Sequence, residues 1–291
     1  MLEALQRFTN RKRIYVYVRR QHTMMNISQK VSVIIPTYNR PKNLHRAISS
    51  CVKQTYDNIE IIVVDDCSKV NNEKVVDKIG SNRVRFFRNE ENKGAPYSRN
   101  KGLSEAKGNY IMFLDDDDII LPTKIEEQID YFETSKDKNL GVVTCDVRYK
   151  RPDINEVKRN RKKGWLYKDL LKAYCVYGTE TMLIKKEHLQ SIGGFDTSLE
   201  SNQEYDLQIR LSKSCTYSYV PKVLAEKHTS QRQISFNFDK KLNGTKYLWH
   251  KYKNEFKKEK VYTYNYFRFT YLLFKYRVGK YLGKRIYSWM P

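Results

Sequence analysis

Three short apolar runs, VSVIIPTYN (Val31–Asn39), IEIIVVDD (Ile59–Asp66) and YIMFLDDDD (Tyr110–Asp118), each close on a polar loop. They are too short for helices and rich in β-branched residues, so they read as strands buried on both faces, as in a parallel sheet. Between the first two, PKNLHRAISSCVKQT repeats Leu44, Ala47, Ile48, Cys51 and Val52 at helical spacing, with Pro41 suited to a first turn. A helix through Val75, Val76 and Ile79, a strand VRFF and a helix GAPYSRNKGLSEAKG closed by Gly108 continue the alternation. The rhythm predicts an α/β fold with a mostly parallel sheet, whose ligands bind beyond the carboxyl ends of the strands. The loops Pro36–Asn39, Asp65–Ser68 and Asp115–Asp118 are therefore expected to converge on one crevice.

The second half is less regular. PTKIEEQIDYFET reads as a helix, LGVVTCDV as a strand and the Lys/Arg-rich stretch from Lys150 to Lys163 as a loop. TETMLIKKEHLQSIGGFD, QEYDLQIRL and YSYVPKVLAEKH then restore order. There is no internal repeat and no GxGxxG or Walker-type loop, which argues against dinucleotide and ordinary ATP sites. Five scattered cysteines without a CxxC pair point to neither disulfides nor zinc, and fit a reducing compartment. Without a run of roughly 18–20 apolar residues or an apolar leader, the expectation is a cytoplasmic protein.

The net charge of +22 sits at the ends. Lys240–Pro291 holds 14 Lys/Arg against 2 Glu, and Met1–Lys30 holds 7 against 1. This divides the chain into a basic arm (1–30), a near-neutral domain (31–238, in halves 31–118 and 119–238) and a basic aromatic extension (239–291). In the extension Phe267, Tyr271, Phe274, Val278, Leu282, Ile286 and Trp289 recur at steps of three or four, with Arg268, Lys275, Lys280 and Lys284 largely off that stripe. Such a helix suits a membrane interface, which would make the protein peripheral on the inner face of the membrane, or it docks on the domain or in a homodimer. Nucleic acid is not the expected partner, because the middle carries no recognised module or central basic groove.

Four adjacent aspartates repel one another unless a cation or donor groups neutralise them. A solvated turn capping the helix near Pro122 is the other reading, but one Asp suffices for a cap. In an extended segment Asp115 and Asp117 point one way, Asp116 and Asp118 the other. Hard divalent cations favour such oxygens.

VSVIIPTYNR, IIVVDDCS, SRNKGLSEAKGNYIMFLDDDD, GGFD and QEYDLQIRL together resemble, in order and spacing, the family 2 glycosyltransferases of the GT-A fold, across about residues 31–235. The resemblance implies a Rossmann-like sheet flanked by helices. It also implies transfer of a sugar from a nucleotide-diphosphate donor to an acceptor hydroxyl, with inversion and with Mn²⁺ or Mg²⁺. It assigns Asp115 and Asp117 to the DxD pair, Asp117 being the direct metal ligand, with Asp116 at the ribose and Asp118 capping the next helix. Pro36, Tyr38, Asp66 and Arg99 fall on the donor side; an Asp66 that accepts from an imide N–H favours a UDP-sugar. Glu204 becomes the general base, with Asp206 as a rival more apt to pair with Arg210 across a helical turn. Gly193 and Gly194 lie on the acceptor side and His228 at the metal or diphosphate. Trp165 is suited to sugar stacking or to core or lid packing. The implied acceptor is a saccharide or a lipid-linked saccharide in bacterial cell-surface polysaccharide assembly. Two rival classes are a sugar nucleotidyltransferase, whose N-terminal phosphate loop is missing here, and a non-catalytic binder of anionic surfaces through the basic arms.

Overall fold

The computed structural model describes residues 29–151, 154–228 and 237–289. Strands β1 (Val31–Thr37) and β2 (Ile59–Asp65) are buried at every position, as their unbroken apolar sequence requires. They pair in parallel from Val31 opposite Ile59 to Thr37 opposite Asp65. Helices α1 (Pro41–Val52), α2 (Glu73–Ile79) and α3 (Ala95–Glu105) connect β1, β2, β3 (Val84–Arg88) and β4 (Tyr110–Phe113) into a parallel four-strand unit. Pro36 fits inside β1 because β4 stops opposite Ile34, so its missing N–H breaks no ladder bond there.

The second half departs from the parallel pattern. After β5 (Ile119–Ile120) and α4 (Lys124–Thr134), β6 (Leu140–Arg151) pairs with β7 (Ile154–Lys158), β8 (Leu183–Lys185) and β9 (Thr216–His228). The sheet order is β3-β2-β1-β4-β8-β6-β9-β5, with β7 on β6. β8 runs antiparallel to both β4 and β6. It follows α5 (Tyr167–Lys172) through only a 3₁₀ turn at Thr179–Thr181, and precedes α6 (Lys186–Ser191). The stretch expected as a basic loop is instead a hairpin, Val147 opposite Lys158 through Arg151 opposite Ile154. Asn155–Val157 stay exposed while their backbone pairs, so side-chain charge did not preclude a strand.

Alternation along the strands sends Ile34, Ile62 and Phe113 into one core, and Val33, Ile35, Val63 and Met112 into another on the opposite face. The first core also holds Leu207 of α7 (Gln203–Leu211), Leu248 and Phe256 of α8 (Phe238–Lys258), and Phe269 of α9 (Tyr262–Trp289). Trp249 gathers Phe256, Tyr262 and Phe269 at centroid distances of 5.8, 5.4 and 5.6 Å. The docked face of α9 is not the aromatic stripe. Val261, just before the helix, with Asn265, Phe269 and Gly279, is buried, whereas Phe267 is 67% and Phe274 57% exposed. A polar and a glycine residue on the buried side hid that face from the apolar pattern. The N-terminal arm up to residue 28 and the side chains of Ile286 and Trp289 lie outside the described residues.

Candidate active site

The carboxyl ends of β1, β2 and β4 meet as expected. The Asp66 N–H donates to the Thr37 carbonyl (2.9 Å), and the Asn39 N–H to Ser68 Oγ (2.8 Å). Leu114 N–H bonds the Ile34 carbonyl (3.0 Å), after which Asp115–Asp118 form a turn closed by Asp118 N–H on the Asp115 carbonyl (3.1 Å). That turn overrides the alternation of an extended strand. Oxygens of Asp115, Asp117 and Asp118 come within 4.8 Å of one another. Asp116 points elsewhere, accepting from Thr37 Oγ1 (2.8 Å) and Arg40 (3.1 Å). Nor does Asp118 cap a helix, since the N-cap of α4 is Thr123. Asp118 instead accepts the main-chain N–H of His228 (2.9 Å) and faces Lys227 Nζ at 3.5 Å.

Four basic side chains, Arg40, Arg46, Arg99 and Lys227, surround the quartet. Arg40 reaches Asp117 (3.2 Å) as well as Asp116, Arg46 donates to the Asp117 carbonyl, and Arg99 pairs with Asp115 (2.6 Å). Burial pushes Asp116 up to about 6 despite Arg40 and the Thr37 hydroxyl. Burial also raises Asp118 well above the carboxylate range, with Lys227 opposing the shift and Glu180, Asp115 and Asp117 adding to it. Burial acts on Asp115 in the same direction, but Arg99, Lys227 and Arg40 outweigh it and hold that group low. Glu180 lies fully buried on the 3₁₀ turn and shares Lys227 (3.4 Å) with Asp118. Asp118 Oδ2 and Glu180 Oε1 are buried and accept no hydrogen bond. The carboxylates of Asp115–Asp118, Glu180 and Glu204 outnumber the surrounding Arg40, Arg46, Arg99 and Lys227, so the pocket has an excess of hard oxygen donors.

Arg99 ties this cluster to the second half, bonding Gln203 Oε1 (3.2 Å) at the start of α7 and stacking on Phe195 at 5.1 Å. The next residue, Glu204, accepts from the Tyr174 hydroxyl (3.1 Å) and Thr179 Oγ1 (3.3 Å). Asp206 is sealed in the core by Arg210 (2.7 Å), Tyr252 (2.7 Å) and Lys251 (2.6 Å). Gly193 and Gly194 both have positive φ. At Gly194 a Cβ would also lie 2.5 Å from Asn100 Oδ1, so the turn beside Phe195 needs glycine for two reasons.

The Tyr38 ring is 43% exposed at the crevice mouth. Asp66 is buried, with Oδ1 accepting from Asn89 (2.8 Å) and the Lys93 N–H (2.9 Å) and Oδ2 from the Gly94 N–H (2.8 Å). Its carboxylate therefore organises the loop that starts α3. The His228 ring turns toward Glu226 (3.7 Å), and burial with nearby Arg46 lowers its pKa. Trp165 is exposed next to Gly164, which bridges Tyr217 at the far end of β9 from His228. Sequence reasoning missed Arg40, Glu180 and Lys227. Arg40 directly follows the PTYN loop and Lys227 precedes His228, but nothing in TETM marks Glu180.

This sheet, with its acidic turn at the junction of a parallel and a mixed half, is the architecture of the GT-A glycosyltransferases. Staphylococcus aureus TarS 1–349 in complex with UDP-GlcNAc superposes with a TM-score of 0.60 at 19% identity, over 76% of this chain and 66% of that one. The mannosyltransferase PcManGT from Pyrobaculum calidifontis, in complex with GDP-Man and Mn²⁺, gives 0.62 at 16% identity over 94% and 84%. Residues 32–193 match the model of glycosyl transferase family 2, and the chain belongs to that family. An uncharacterized glycosyltransferase of Haemophilus influenzae is 33% identical over 195 residues, 65% of this chain and 64% of that protein. The chain spans 39% of a Rickettsia felis relative, likewise an uncharacterized glycosyltransferase, at 30% identity over 79% of its own length. The Escherichia coli UDP-Glc:alpha-D-GlcNAc-diphosphoundecaprenol beta-1,3-glucosyltransferase WfaP is 43% identical over 106 residues, 36% of this chain and 42% of that one.

Proposed function

We propose that the chain is a metal-dependent inverting glycosyltransferase that takes a UDP-sugar as donor and a saccharide or lipid-linked saccharide as acceptor. The observation carrying this reading is the gathering of Asp115, Asp117 and Asp118 oxygens within 4.8 Å, one arginine away from the start of α7. The buried Oδ2 of Asp118, which accepts no hydrogen bond although Lys227 Nζ lies 3.5 Å away, and the gathered carboxylate oxygens fit Mn²⁺ or Mg²⁺. Asp117 and Asp115 would hold the cation, with Asp118 and His228 beside them. When bound, such a cation supplies positive charge against the charge developing on a departing nucleotide diphosphate.

The chain's own residues do the rest. Tyr38 offers a ring face to the base at the crevice mouth, and Asp66 fixes the loop below it. Arg99 holds Asp115 in place. Glu204, oriented by Tyr174 and Thr179, takes the proton of the acceptor hydroxyl as its oxygen bonds the anomeric carbon and the bond to the diphosphate breaks. The name of the Escherichia coli relative and the UDP-GlcNAc complex of TarS support a UDP-sugar, and the former supports a lipid-linked acceptor. Calorimetry with Mn²⁺ and UDP-sugars, paired with a radiolabel transfer assay, tests the proposal. Donor heat should require the cation and vanish in Asp117→Ala along with transfer. An Asp117→Ala protein that transfers sugar at the full rate overturns it.

A further inference from the structure

Helix α9 is docked by one face and bare on the other. Its inner face meets α8 through Phe269 and Gly279, and Arg268 reaches the Tyr205 hydroxyl (3.1 Å), next to Glu204. At about 100° per residue, Tyr264, Phe267, Tyr271, Phe274, Tyr281 and Leu282 fall within a single stripe on the opposite side. All six are exposed, Tyr281 by 80% and Phe267 by 67%. The same helical step sets Lys275 and Arg277 along the two flanks of this stripe. Over its 28 residues α9 contains no Asp or Glu, against Arg268, Lys275, Arg277, Lys280, Lys284 and Arg285.

We propose that this stripe is a membrane-interface surface whose occupant is a bilayer containing anionic phospholipid. Tyrosine and phenylalanine rings favour the boundary between headgroups and acyl chains, and flanking cations on long stems reach lipid phosphates while their stems stay on the apolar side. From Tyr264 to Leu282 the stripe is roughly 27 Å long at 1.5 Å per residue, so it lies along a surface. No described helix is long and apolar enough to cross a membrane. A second copy is a poor occupant, because two acid-free cationic helices would meet with like charge. Through Arg268 and Tyr205 the helix that carries the stripe is tied to the helix that carries Glu204.

The test is flotation of the full chain with vesicles of phosphatidylcholine alone or with about one-third phosphatidylglycerol, near physiological salt. It reads neither donor binding nor transfer, so it succeeds or fails independently of the enzymatic proposal. The wild type should float with the anionic vesicles, at least about tenfold more than with the neutral ones. Phe267→Ser/Phe274→Ser should reduce that fraction about tenfold with an unchanged circular dichroism spectrum and melting temperature. A wild type that stays in the soluble fraction overturns the proposal. So does a double variant that floats like the wild type, which would assign binding to charge alone. A dimer in light scattering that the same two substitutions dissolve, without vesicle binding, assigns the stripe to a second copy instead.

Discussion

Glu204 is gripped at both oxygens by neutral donors, so its charge can be removed with little change of shape. Glu204→Gln is expected to keep donor and cation affinity while transfer falls about 10²–10⁴-fold. Calorimetry on the variant beside steady-state transfer separates the two effects. A second carboxylate, at the other end of the sheet, is structural. Glu60 accepts from Ser32 Oγ (2.7 Å) and the Lys107 N–H (2.6 Å) and pairs with Arg85 (3.3 Å). Burial raises its pKa, but those bonds together with Lys30 and Arg85 win and hold it below the usual value. Its stabilisation is therefore complete above the unfolded pKa of about 4.3 and lost as pH falls through the lower folded value. Glu60→Gln should cost about 1–3 kcal/mol at neutral pH. It should also flatten the loss of stability as pH falls below about 4.3, as measured by urea unfolding. At this scale the aspartates were legible because like charges in sequence demand a partner. Glu180 and Lys227 were not, since only the meeting of a 3₁₀ turn with the end of β9 gives them one.

Among the elements, the parallel half was readable because each strand is apolar throughout and stops at polar residues. The β6–β7 hairpin was hidden by its cations, and the docked side of α9 by Asn265 and Gly279. Helix α8 has a similar small-residue contact. A Cβ on Gly244 would lie 2.3 Å from Ser201 Oγ and 2.8 Å from the Ser201 carbonyl oxygen. Ser201 Oγ itself donates to the Lys240 carbonyl (2.9 Å), so it cannot turn aside without losing that bond. Gly244→Ala should push α8 off the segment before α7 and destabilise by about 1–3 kcal/mol. Lys246→Ala, at an exposed position of the same helix, should leave the melting temperature unchanged.

For the molecule as a whole, a ligand that binds only the folded state raises stability by mass action. Mn²⁺ with a UDP-sugar at about 100 times its Kd should contribute about 2.7 kcal/mol. That shifts the melting temperature by on the order of 5 °C or more. EDTA should abolish the shift, and scanning fluorimetry reads both. The overall α/β class was legible from the alternation of strand and helix, whereas the reversal of β8 required its register. The extension shares a core with the sheet, Leu248, Phe256 and Phe269 packing in one cluster with Ile34, Phe113 and Tyr205. A chain cut after residue 238 would strip Arg268 from Tyr205 and both Lys251 and Tyr252 from Asp206, along the very rod that aims Glu204. The bearing of that carboxylate is thus set from the distant end of the polypeptide, and the last helices cannot be trimmed as a detachable tail.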